Sequence, residues 1–191
     1  MRLLLIKTSS MGDVIHALPA LTDALVAFPS LKVDWVVEDS FADLAIRHPA
    51  VNTVIPCALR RWRKHPIKAR RSGEWAAFNA AVQSNSYDAV IDAQGLLKSA
   101  FVTRLSRGPK YGFDKHSARE GLSARVLDHL LPVARGQHAI ERVRQLFSQA
   151  LNYPLADTAP DYGLPREHVP APLSEPAELV FCHGTTWATK H

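Results

Sequence analysis

The chain has 191 residues, which suits one large domain or one domain and the beginning of another. Its 47% hydrophobic and 21% charged content is that of a globular protein and excludes disorder of the whole chain. The net charge is +5, yet Arg60 to Arg71 (RRWRKHPIKARR) alone holds seven Lys/Arg and no acid, so the remainder stands at −2: one concentrated basic segment, suited to an anionic partner, on a near-neutral protein.

Arg2 to Lys7 (RLLLIK) is a short apolar run that predicts a strand buried on both faces. Val14, Leu18, Leu21, Leu25 and Phe28 then recur at helical spacing up to Pro29, with Pro19 either kinking the helix or marking its true first turn. Lys32 to Glu38 is a second strand, Asp39-Ser40 can cap a short helix to about His48, and Val51 to Pro56 is a third strand. The basic segment has no clean period and is expected to be a loop or a partly helical excursion. A helix over Glu74 to Gln83, a strand over Tyr87 to Ala93, a helix over Leu97 to Leu105 and a brief strand over Lys110 to Phe113 follow. Ser123 to Leu131 and His138 to Leu151 both read as amphipathic helices.

Strands alternating with helices predict parallel βαβ units and an α/β, Rossmann-like, doubly wound sheet. Six prolines between Pro154 and Pro176 suit an extended linker. Glu178 to Thr186 then reads as a strand running into a Gly-Thr-Thr turn. The expected organisation is therefore a Rossmann-like domain over 1–153, a linker over 154–177 and a truncated second α/β domain over 178–191. The four-residue apolar run Leu3 to Ile6 is too short for a signal-peptide core, and no window reaches a membrane-spanning length, so a cytosolic protein able to touch a membrane surface is expected. Cys57 and Cys182 are far apart and in no metal-type spacing, nor do the nine His form one, and no metal is assigned.

Ligands of open α/β sheets bind at the carboxyl ends of the strands. Two joints there carry chemistry. In Ser9-Ser10-Met11-Gly12-Asp13, the single glycine is too few for a G-x-G-x-x-G or G-x-x-x-x-G-K-[ST] phosphate cradle, and a carboxylate repels phosphate. Asp13 is either a helix cap or a base poised to take a proton from a hydroxyl. In Asp92-Ala93-Gln94-Gly95-Leu96-Leu97-Lys98, Asp92 can cap the next helix, while Gln94 and Lys98 reach the same strand-end rim as Asp13. Three functions stay open on these residues: a transferase, a non-catalytic module holding anionic glycolipid, and a nucleic-acid binder. The last is weakened by sparse aromatics and the lack of a nucleic-acid fold signature.

KTSSMGDVIHALPALTDA, RRWRK, YDAVIDAQGLLKSA, SARE at Ser117 to Glu120 and the terminal HGTT…KH, taken together and in this order, resemble the lipopolysaccharide heptosyltransferase I family. That resemblance implies the N-terminal half of a GT-B fold and an inverting glycosyltransferase that moves L-glycero-D-manno-heptose from ADP-heptose to a Kdo sugar of Kdo-lipid A. It implies Asp13 as the catalytic base. Ser10, Gly12, Arg60, Arg61, Arg63, Lys64, Gln94, Lys98 and Arg119 would lie on the acceptor side, and Thr185, Thr186 and Lys190 would approach the donor diphosphate. It also implies no cofactor beyond the donor substrate and no nucleic-acid partner. A peripheral position on the cytoplasmic face of the inner membrane follows in the same way, while the oligomeric state stays open. The adenine- and ribose-binding part of such a donor domain lies beyond His191, so the 191-residue chain alone is expected to be inactive.

Overall fold

The computed structural model describes residues 1–164, so Cys182, Thr185, Thr186, Lys190 and the expected strand over 178–186 lie outside the described residues. The strands β1 (Arg2–Ile6), β2 (Lys32–Glu38), β3 (Val51–Cys57), β4 (Ala89–Asp92), β5 (Lys110–Phe113) and β6 (His129–Leu131) form one sheet in the order β3-β2-β1-β4-β5-β6. Every neighbouring pair is parallel. This is the doubly wound order, and it reverses direction between β1 and β4, where a crevice opens at the strands' carboxyl ends. Leu3 to Ile6 are all fully buried because helices cover both faces, which is why this strand reads as an unbroken apolar run.

Alternate residues serve the two layers. Leu3, Leu5, Val33, Trp35 and Ile91 pack with Leu18 and Leu21 of α2 (Leu18–Ala27) and with Val143, Leu146 and Phe147 of α8 (Ala139–Leu151). Leu4, Ile6, Val36 and Val90 face the opposite layer. There they meet Trp62 of α4 (Leu59–Lys64), Ala69 of α5 (Pro66–Arg71), Phe78 and Val82 of α6 (Glu74–Gln83) and Val102 of α7 (Leu97–Leu105). No helix of the described residues is long and apolar enough to cross a membrane.

Four elements differ from the sequence expectation. The helix expected from Val14 is two helices, α1 (Met11–Ile15) and α2, and Pro19 sits in the first turn of α2, where its missing N–H costs nothing. The helix expected from Asp39 to about His48 is a 3-10 turn over Asp39–Phe41 followed by the single turn α3 (Ala42–Ala45). The basic segment is fully ordered as the helices α4 and α5, hinged at His65 and seated on the sheet through Trp62 and Ala69. Ser123 to Leu131 is not a helix. A 3-10 turn covers Gly121–Val126, Leu127 turns extended, and His129 to Leu131 pair with Tyr111 to Phe113 as the edge strand. Sheet pairing and the packing of Leu131 against the core outweigh a helical pattern carried by only two turns.

A buried arginine fastens α8. Arg144 is paired with Asp23 of α2 at 2.7 Å and donates to the carbonyls of Ala156 and Thr158, so the chain leaving α8 runs back along α2. Gly163 closes this run against His48 and Thr22, and a Cβ there would collide with both side chains.

Candidate active site

Four strand ends converge at the switch point. β1 delivers Lys7 and the loop into α1, β2 delivers Glu38, β3 leads through Cys57 and Ala58 into α4, and β4 delivers Asp92 and the turn into α7. The β1 loop is short because Ser10 starts α1 and Asp13 is the third residue of that helix. Asp13 is thus not the cap residue itself. Its carboxylate reaches back, and Oδ2 accepts from the Ser10 N–H at 2.9 Å and from the Ser10 hydroxyl at 3.1 Å, the carboxylate half of a capping box. Oδ1 lies 3.4 Å from the ammonium of Lys7. The Asp13 side chain is 36% exposed, whereas that of Lys7 is 8% exposed.

Burial alone would raise the Asp13 carboxyl, but the Lys7 charge and the Ser10 hydrogen bonds outweigh it and hold the group below the ordinary carboxylate range. Burial pushes the Lys7 ammonium down, against the pull of Asp13 and Asp92. The two groups stand as an ion pair, with Lys7 also tied to the Ala93 carbonyl at 2.9 Å.

The β4 turn is built on Asp92, which is fully enclosed. Its Oδ1 accepts from the Gln94 and Gly95 N–H groups, and its Oδ2 from the hydroxyls of Ser99 and Thr103. Gly95, at φ +64°, sits in the left-handed region this turn requires. Gln94 Oε1 accepts from the N–H groups of Thr8 and Ser9, so Gln94 braces the β1 loop from across the crevice. Lys98 donates to the Ser9 hydroxyl at 2.7 Å. Burial lowers its ammonium, opposed by the charge of Glu38. Glu38 in turn accepts from the Arg60 N–H at 3.3 Å and so holds the start of α4 at the rim.

Asp13, Gln94 and Arg119 line one cavity of ≈ 120 Å³ together with Lys7, Phe113 and Arg142. Lys7 and Arg142 were not among the residues singled out from the sequence. Lys7 looked like the polar end of a strand, and Arg142 sits one residue before Val143 on a helix whose apolar face drew the attention. Arg142 donates to the Ser117 carbonyl at 2.7 Å and lies over the Phe113 ring at 4.8 Å. Arg135 donates to the Ala118 carbonyl, which steadies the loop that carries Arg119.

The basic helices divide in two. Arg61 is neutralised from outside its segment, by Glu74 at 2.9 Å and by Asp39 at 3.7 Å, and the same Glu74 accepts from the Trp62 indole at 2.8 Å. Arg60, Arg63 and Lys64 are exposed, with no ion pair among the described residues. No group of three or more His, Cys, Asp or Glu among the described residues is arranged to hold a metal ion.

A half-buried carboxylate, nearby cationic side chains and a braced loop thus meet at the switch point, where open α/β sheets bind their ligands and where a carboxylate can take a proton. The comparisons with known proteins are specific. The family model for glycosyltransferase family 9 (heptosyltransferase) matches residues 75–191, and the chain belongs to that family. It is 56% identical to lipopolysaccharide heptosyltransferase 1 of Pseudomonas aeruginosa over all of this chain and 54% of that protein. It is 49% identical to the Escherichia coli K12 enzyme of the same name over all of this chain and 60% of that protein. The chain thus spans little more than half the length of the curated relatives it matches. Its fold superposes on E. coli heptosyltransferase WaaC with ADP-2-deoxy-2-fluoro heptose at a TM-score of 0.89 and 49% identity, covering 100% of this chain and 61% of that one. E. coli ADP-heptose LPS heptosyltransferase II, at 20% identity and a TM-score of 0.60, shares the fold.

Proposed function

We propose that this chain is the acceptor-binding half of an inverting heptosyltransferase that moves L-glycero-D-manno-heptose from ADP-heptose to a Kdo sugar of Kdo-lipid A. The observation that carries the reading is Asp13: a carboxylate kept ionised in a small cavity at the switch point, with cationic side chains around it. In the transfer, the acceptor hydroxyl gives its proton to Asp13 Oδ1 as its oxygen forms the bond to the anomeric carbon. The bond from that carbon to the donor phosphate breaks, and ADP leaves with the electron pair. A hydroxyl whose pKa lies far above 7 needs such a base, and a diphosphate leaving group needs cations rather than a second carboxylic acid.

In this reading Arg60, Arg63 and Lys64 meet the carboxylates and phosphates of the acceptor from the rim, and Arg119 meets them from the cavity. Arg61 acts through Trp62 and Glu74 by holding α4 in place. Ser10, Gly12, Gln94 and Lys98 shape the loop that presents Asp13, with Gln94 and Lys98 bonded to that loop directly. Thr185, Thr186 and Lys190 serve the donor diphosphate. The domain runs over 1–153, with the linker over 154–177, and the exposed cations seat it on the anionic cytoplasmic face of the inner membrane. The 191-residue chain alone binds acceptor but transfers heptose far more slowly than a form of its relatives' full length. Comparable rates for the two would sink that claim. Binding of Kdo-lipid A, compared with an equally charged oligonucleotide at two salt concentrations, tests the acceptor assignment. Preference for the oligonucleotide would overturn it.

A further inference from the structure

The structure gives Lys7 two partners that tie the crevice together. Its ammonium is almost fully buried at the end of β1, donates to the Ala93 carbonyl at the end of β4, and lies 3.4 Å from Asp13 Oδ1. Ser10 holds the other carboxylate oxygen from the opposite side. We propose that Lys7 is a positioning residue for Asp13: fixed on Ala93, it keeps the carboxylate ionised and holds Oδ1 at the cavity, where an acceptor hydroxyl can reach it. This rests on the reading of Asp13 as the base.

The geometry favours orientation over proton transfer as the role of Lys7. An ammonium donating to a carbonyl and flanked by a carboxylate has no lone pair with which to take a proton. The 3.4 Å spacing is that of an ion pair and longer than a tight hydrogen bond, so Oδ1 keeps a lone pair free. The charged groups facing the pair come from every element around it: Asp92 from β4, Arg142 from α8, Lys98 from α7 and Arg119 from the loop after β5. Asp92 has both oxygens engaged, Oδ1 by its own turn and Oδ2 by the hydroxyls of Ser99 and Thr103 on α7. Asp13 is thus the partner that Lys7 controls.

The test follows the carboxyl carbon of Asp13 and the side-chain nitrogen of Lys7 by NMR through an acid titration of the 191-residue chain. In the unmodified chain both signals should move at the same pH, below the ordinary carboxylate range. In Lys7→Met the Asp13 titration should move upward, and Lys7→Arg, which restores a positive charge, should bring it back. In a form with the donor half present, the acid limb of the kcat/KM profile should shift upward in the same way. Turnover in Lys7→Met should fall about tenfold to a hundredfold, as expected for a misplaced base. An Asp13 signal that titrates alike in all three proteins, or independent titrations in the unmodified chain, overturns the proposal while leaving Asp13 as the base. Full turnover in Asp13→Asn overturns the base and leaves the Lys7–Asp13 pairing intact.

Discussion

Two carboxylates, Asp34 in the sheet and Asp13 at its carboxyl-end rim, show what separates a closed acid from an open one. Asp34, on β2 near the amino-terminal end of the sheet, is buried, and its oxygens accept from Arg2 at 2.9 Å, Tyr87 at 3.0 Å and Asn52 at 3.1 Å. Asp13, at the carboxyl end of the neighbouring strand, also has a cation and hydroxyl partners, but it opens onto a cavity and its second oxygen is only loosely engaged. A closed network spends its polar groups on the fold, whereas an open one leaves a lone pair for a ligand. Residue type and a nearby cation do not distinguish the two. Access and an unfilled hydrogen-bonding site do.

The largest effect should come from the open site. Asp13→Ala in a form carrying the donor half should lower turnover by about 10²–10⁴-fold, the usual worth of a general base. Acceptor binding should stay close to that of the parent, while the melting temperature should fall only modestly, as Ser10 loses its capping partner and buried Lys7 its counter-charge. A transfer assay beside a thermal melt checks this, and a large loss of stability without loss of rate per folded molecule would reverse the comparison.

Next comes a closed site that must stay uncharged. His48 is buried, its Nδ1 accepts from the Ala50 N–H, and its Nε2 faces the Thr22 hydroxyl at 3.0 Å, with Gly163 packed over both. Burial lowers its pKa from 6.5 to about 4. The sign is set by the unfolded chain, which binds the proton first as the pH falls below 6.5. Stability from the neutral ring is therefore full above that pH and declines down to about pH 4. The native chain should lose about 3 kcal/mol more than His48→Gln over this interval in urea titrations at stepped pH. Parallel curves for the two would show that the ring is not held neutral.

Asp34→Ala should cost about 2 kcal/mol in the same measurement, because Tyr87 loses a buried partner while half-exposed Arg2 turns to water. It should leave acceptor binding unchanged. A loss of binding would mean that the amino-terminal edge communicates with the crevice.

How much of this was legible in the sequence follows the same division. β1 and β4 are buried on both faces, and an apolar run can be read without knowing its neighbours. Likewise the Asp13 and Gln94 joints announced themselves, since polar residues directly after such runs must lie at strand ends. Ser123 to Leu131 misread because an edge strand of three residues is decided by its pairing with β5, 18 positions earlier in the chain, and not by its own pattern. Lys7 and Arg142 went unnoticed for a related reason. Their meaning lies in partners, Asp13 and Ala93 for one, Phe113 and Ser117 for the other, that only the folded sheet brings into reach. The basic segment showed its charge in the sequence, but the acids that neutralise Arg61, Asp39 and Glu74, lie outside it.

That last division gives the smallest effect and the finest test. Arg61→Ala should cost at most about 1 kcal/mol of stability, since its ion pairs are exposed, and the cost should shrink as salt is raised. Arg63→Ala should cost almost nothing in stability, because no acid among the described residues holds that side chain. If exposed cations of α4 read the acceptor, Arg63→Ala should weaken Kdo-lipid A binding at low salt more than Arg61→Ala does. The gap should close as salt screens the surface. Equal losses of binding for both variants would mean that Arg61 leaves Glu74 to meet the ligand. Its ion pairs would then be a resting arrangement, and α4 would have to shift when the acceptor arrives.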